Sequence, residues 1–124
     1  MIYLDNAATS FPKAPGTSEA MAEFLAKDAA NPGRAGHRMA VAAEEMIDRA
    51  RLQLARLVNA PTHERMVFAL NGTDALNIAI KGVVGACSSN GEVPHVITTV
   101  LEHNSVSRPL QAMSDAGRIT LTRV

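Results

Sequence analysis

Met66-Val67-Phe68-Ala69-Leu70 runs without a polar residue into Asn71-Gly72-Thr73-Asp74, and an apolar rhythm then resumes at Leu76, Ala79, Ile80 and Val83. A short continuous apolar run reads as a strand buried on both faces. The spacing after the turn predicts a helix through about Val84. The pattern then repeats. Residues 85–94 read as a loop with Asn90-Gly91 at its tip, and Val96-Ile97-Thr98-Thr99-Val100 as a second strand. Leu101-Glu102-His103-Asn104 is another strand-to-helix turn, before a helix lined by Val106, Leu110 and Met113. Pro109 is tolerable only near that helix's start, and Gly117 is placed as its C′ residue. Residues 119–124 read as a third strand. Strands separated by helices of this length predict an α/β fold, with a mostly parallel sheet and flanking helices.

Upstream, the pattern is helical. Met1-Ile2-Tyr3-Leu4 is a short apolar lead-in, and Pro12 and Pro15 keep the next stretch irregular. A helix is predicted over about 17–30, with Met21, Phe24 and Leu25 on its apolar face, stopped by Asn31-Pro32-Gly33. Arg34 to Gly36 reads as a polar hinge. A longer helix follows over about 37–59, where Met39, Ala43, Met46, Ile47, Ala50, Leu54, Leu57 and Val58 recur at helical spacing. Glu44, Glu45, Asp48, Arg49 and Arg51 read as its solvated face. Neither repeats nor a linker interrupt the chain. It stops on what reads as an interior strand with no covering helix, which predicts the front part of a larger protein.

Composition bounds the function. The 124 residues are 47% hydrophobic but only 3% aromatic, so the core must be aliphatic. Twelve basic residues balance twelve acidic ones, which argues against a dedicated nucleic-acid binder or a polybasic membrane module. No apolar run approaches the roughly 20 residues of a spanning helix. The N-terminus lacks a secretory pattern. The default expectation is a soluble, cytoplasmic chain. Cys87 is the one cysteine, so no internal disulfide can form, and it is placed as a structural or exposed residue in the 85–91 loop. His37, His63 and His95 share no ligand spacing with one another or with Cys87, and no metal site is expected.

Ligands of parallel sheets sit at the carboxyl ends of strands. Two such ends are legible. At the first, Gly72 would let backbone approach a ligand closely. Thr73 offers a hydroxyl and an N–H at a helix N-terminus, which suits a phosphate. The alternative is an ordinary N-cap supplied by Thr73 or Asp74. At the second, His103 faces the same crevice in a parallel sheet. It is either a ring that stacks on a ligand and moves protons or a partly buried histidine bonded to a carbonyl.

Four landmarks in order carry a family resemblance: Tyr3-Leu4-Asp5-Asn6-Ala7-Ala8-Thr9-Ser10, Asn31-Pro32-Gly33-Arg34-Ala35-Gly36-His37, the stretch 68–82, and Glu102-His103-Asn104-Ser105-Val106 with Arg108-Pro109-Leu110. Together they resemble the class V aminotransferase and cysteine desulfurase family of fold type I enzymes, dependent on pyridoxal 5′-phosphate (PLP). The resemblance implies that residues 1–124 are an N-terminal segment and the first, incomplete part of the PLP-binding large domain. It implies that Gly72 and Thr73 hold the cofactor phosphate, and that His103 stacks on the pyridine ring and serves acid–base steps. Asn6 and Ala7 would border the substrate. The family often has Gly where this chain has Asn71, and Ala or Thr where it has Gly72.

The implied activity is removal of sulfur from L-cysteine, through an external aldimine and an enzyme persulfide. Aminotransferase, selenocysteine lyase and epimerase activities are alternatives within the family. A non-catalytic α/β interaction module is an alternative of another class. A homodimer and a sulfur-acceptor protein are the implied partners. The family's Schiff-base lysine stands in a Ser-x-His-Lys type of context, which Lys13, Lys27 and Lys81 do not share, so these residues alone are expected to be inactive. The implied sheet order puts the 66–70 strand toward one edge and the next two toward the other.

Overall fold

The computed structural model describes residues 2–33 and 36–124. Arg34 and Ala35 of the predicted hinge, and Met1 of the lead-in, lie outside the described residues. The chain divides into two compact units, Met1–Met66 and Val67–Val124.

The first unit holds α1 (Thr17–Lys27) and α2 (Arg38–Leu57). Before them, the Tyr3 hydroxyl contacts the carbonyls of Asp5 and Thr9 at 3.0 Å each. Its ring meets Phe11 edge-on at 5.5 Å. Helix α1 ends three residues short of its predicted limit, and Glu23 and Lys27 pair on its exposed face at 2.8 Å. The hydrogen bond and charge of Lys27 hold the Glu23 carboxyl below its usual range.

Helix α2 is capped by His37, whose Nδ1 accepts the Ala40 N–H at 3.3 Å. At its other end, Asn59 takes the left-handed conformation (φ 52°), and Ala60 N–H reaches the Ala55 carbonyl at 2.8 Å. That is a Schellman ending with Asn in place of Gly. Ala40, Ala43 and Ala55 are its buried residues, while Met39, Met46, Leu54, Leu57 and Val58 of the predicted apolar face are exposed. The predicted solvated face also needs correction. Arg51 is half-buried, pairs with Asp48 at 3.0 Å and donates from Nε to the Met66 carbonyl at 3.1 Å.

The second unit is built from α3 (Gly72–Cys87), β1 (His95–Thr98), α4 (Asn104–Asp115) and β2 (Thr120–Arg123). Strands β1 and β2 pair in parallel, His95 against Thr120 through Thr98 against Arg123, so β1–α4–β2 is a βαβ unit. Val84 of α3, Leu110 and Met113 of α4, and Ile119 form the core, with Ile80, Val96, Val106 and Leu121 packed against it. Helix α4 ends as expected at Gly117 (φ 66°), with Arg118 N–H on the Met113 carbonyl and Gly117 N–H on Ser114, both at 2.9 Å.

Three expectations change. Residues 66–70 are irregular chain outside the sheet, not a strand. Two of their N–H groups have local acceptors: Met66 bonds the His63 carbonyl at 2.9 Å and Leu70 bonds Asp74 Oδ2 at 3.3 Å. The predicted loop at 85–94 begins later, because α3 continues to Cys87 and a 3-10 turn follows over Ser88–Asn90. Pro109 stands in the second turn of α4, not its first. The carbonyl that its missing N–H would have bonded belongs to Ser105, and Asn77 Nδ2 of α3 reaches it at 3.5 Å.

Candidate functional site

The site lies within the second unit, where the N-termini of α3 and α4 meet. Asn71, extended at φ −161°, caps α3 by accepting the Asp74 N–H at 2.9 Å. The sequence offered Thr73 or Asp74 for that role. With Asn71 in it, the Thr73 side chain is released from capping. The N–H groups of Gly72 and Thr73 belong to the first helical turn, which has no intrahelical acceptor, and stand at the positive end of the α3 dipole. A Cβ at Gly72 would meet nothing within 4 Å. The fold therefore does not require glycine there, and the position has room for the side chain of Ala or Thr.

Instead of capping, Thr73 Oγ1 lies 2.7 Å from Ser105 Oγ. Ser105 is buried, 6% exposed. Its Oγ also lies 2.8 Å from Nδ1 of His103, and its N–H donates to the same nitrogen at 3.1 Å. His103 is thus the N-cap of α4. The reading of a partly buried histidine bonded to a carbonyl is corrected: the residue is exposed, and its ring is bonded to a backbone N–H and a hydroxyl. Asn77, one turn along α3, donates to the Thr73 carbonyl at 2.9 Å.

An open cleft of about 600 Å³ runs from Thr73 and His103 past Asn77 to Lys81, Arg108 and Arg118. No ion pair among the described residues engages these three cations. A hydroxyl, two helix-terminal N–H groups and cationic walls form a donor set for an anion.

The structure therefore brings Gly72, Thr73 and His103 together. Asn6 and Ala7 belong to the first unit. Both are exposed, and Asn6 Oδ1 accepts the Phe11 N–H at 3.0 Å. Ser105 and Asn77 are the residues that sequence reasoning missed. A signal was present: each helix start reads cap, any residue, hydroxyl (Asn71-Gly72-Thr73 and His103-Asn104-Ser105), which puts both hydroxyls at equivalent positions.

Outside the cleft, His95 Nε2 contacts Thr122 Oγ1 across the two strands at 2.8 Å, and His63 lies 3.7 Å from Glu64. Cys87 is exposed at the last residue of α3. Among the described residues no three His, Cys, Asp or Glu gather as a metal site, and no helix is long and apolar enough to cross a membrane.

The sequence model of the class V aminotransferases matches residues 2–124. The chain belongs to the class V aminotransferase family. It is 43% identical over 107 residues to the cysteine desulfurase IscS of Pectobacterium carotovorum subsp. carotovorum (strain PC1), covering 85% of this chain and 26% of that protein. It is 39% identical over 118 residues to the cysteine desulfurase IscS of Vibrio campbellii, covering 94% of this chain and 28% of that one. The chain thus spans about a quarter of the length of these curated relatives. A solved NifS-like protein superposes with a TM-score of 0.83 at 23% identity, covering 99% of this chain and 32% of its own. The mixed α/β fold with a parallel sheet is shared with that protein. In this class V member, the matched region includes both helix starts that build the cleft.

Proposed function

We propose that these residues form the phosphate- and ring-holding part of a PLP-dependent cysteine desulfurase, acting on L-cysteine as a cytoplasmic homodimer and passing sulfur to an acceptor protein. The observation that carries this reading is the meeting of Thr73 and His103 through Ser105 at two helix N-termini. PLP fits the donor set. Its phosphate is a compact dianion, and Gly72 N–H, Thr73 N–H and the Thr73 hydroxyl are donors at one dipole end. A flat histidine ring at the neighbouring helix start suits the pyridine.

When bound, PLP supplies the electron sink for the bond-breaking chemistry. The chain's own residues do the holding. Lys81, Arg108 and Arg118 draw an anion into the cleft through their combined field. Gly72 and Thr73 fix the phosphate. Because His103 Nδ1 accepts the Ser105 N–H, the exchangeable proton of the neutral ring sits on Nε2, available to donate. Asn6 and Ala7 are proposed to border the substrate. The cysteine desulfurase names of relatives at 39–43% identity favour this activity over the other reactions of the family.

The test is the full-length protein with PLP, L-cysteine and a thiol reductant. Formation of alanine and sulfide in equal amounts is the expected result. A keto acid formed from an amino donor, or no turnover of L-cysteine, would contradict the proposal.

A further inference from the structure

Ser105 is the buried polar side chain among the described residues, 6% exposed at the wall of the cleft, and its burial needs a reason. The other buried residues of its unit, Val84, Leu110, Met113 and Ile119, are all apolar. A hydroxyl in such surroundings costs stability unless it is bonded. Here it is bonded twice, to the proposed phosphate holder at 2.7 Å and to the proposed ring holder at 2.8 Å.

The direction of both bonds follows from one fixed donor. The Ser105 N–H points its hydrogen at Nδ1 of His103, so Nδ1 carries no proton. The short contact between Ser105 Oγ and Nδ1 therefore uses the hydroxyl hydrogen of Ser105. The contact between the two hydroxyls then uses the hydrogen of Thr73. The chain runs Thr73 to Ser105 to His103, and Thr73 shows the cleft a lone pair. A phosphate needs the hydrogen instead. Anion binding must turn the Thr73 hydroxyl away from Ser105. The Ser105 hydroxyl then either donates less strongly to Nδ1, having lost its own polarising donor, or rotates back toward Thr73 Oγ1. Both responses weaken the hydrogen bond at Nδ1. Only hydroxyl rotation is involved, with no proton gained or lost.

We infer that Ser105 is a positioning residue that transmits anion occupancy at Thr73 to the imidazole of His103. The inference rests on the reading of Thr73 as a phosphate holder. His37 provides an internal control: it caps α2 through Nδ1 in the same way, with Ala40 N–H as donor and no hydroxyl attached.

The experiment is ¹⁵N NMR of the full-length protein, histidine-labelled and freed of cofactor, titrated with inorganic phosphate. His103→Gln assigns the resonance. In the wild type, the Nδ1 signal of His103 moves toward that of an unbonded nitrogen as phosphate saturates, while that of His37 stays still. In Ser105→Ala, phosphate still binds, with affinity within about tenfold of wild type, the weight of one neutral hydrogen bond, and Nδ1 no longer responds. Thr73→Val breaks the chain from the cleft side, leaves the buried position intact, and also abolishes the response at saturating phosphate. A response persisting in either variant would overturn the inference, as would phosphate binding to the wild type without change at Nδ1. Failure of phosphate to bind the wild type at all would instead overturn the reading of Thr73, and this inference with it.

Discussion

Asn71 and Thr73 stand two residues apart and divide the work of one helix end. Asn71 spends its side chain on the Asp74 N–H, and Thr73 keeps its hydroxyl for the cleft side. Their variants should therefore separate. Thr73→Ala in the full-length protein removes a charge-assisted donor to phosphate, worth roughly 1.5–3 kcal/mol, so PLP dissociates at roughly 10- to 150-fold higher concentration. Asn71→Ala removes the cap and costs about 1 kcal/mol of stability, leaving PLP affinity nearly unchanged. Fluorescence titration with PLP and calorimetric unfolding read the two effects. Equal losses of affinity in both variants would mean that Thr73 acts only through the helix. The places of Thr73 and His103 at two helix starts were legible because turn residues and apolar spacing are sequence properties. The cap was misplaced because Asn, Thr and Asp all suit an N-cap, and only the backbone of Asn71 settles which one serves. Ser105 escaped notice because a serine's burial is a property of packing.

At the scale of elements, helix periodicity located the α-helices of the described residues but not the 3-10 turns at His63–Arg65 and Ser88–Asn90, and the ends moved where local bonds decided. Gly117 closes α4 as read, and Asn59 closes the longer helix by the same motif. The 66–70 stretch was misread because an apolar run specifies burial, whereas a strand also needs a ladder partner outside the run. The α3–α4–β2 contact is held by aliphatic side chains, and Leu110, 3% exposed, is central to it. Leu110→Ala should cost about 2–5 kcal/mol, lowering the urea midpoint of the full-length protein. A change too small to measure would mean that the α4 core contributes little to the fold. The predicted apolar face of α2 illustrates the opposite case. Its period is helical, yet its large side chains stand exposed, because periodicity reports which face is apolar and not what covers it.

For the whole molecule, one feature of the implied strand order is present and one is not: the two later strands are neighbours, and the 66–70 edge strand is not formed. An apolar groove of about 360 Å³ lies between α3, β1 and α4, lined by Ile80, Val83, Val96 and Ile97 among others. Family membership was legible in four short motifs that stand in order along the chain. The proposed function rests on the cleft at the two helix N-termini. The most direct test is a crystal structure of the full-length protein with PLP bound. The phosphate is expected within hydrogen-bonding distance of Gly72 N, Thr73 N and Thr73 Oγ1, with the pyridine ring against His103 and the Thr73 hydroxyl turned away from Ser105. A phosphate seated elsewhere, with the contact between Thr73 and Ser105 still at 2.7 Å, would contradict the proposed function.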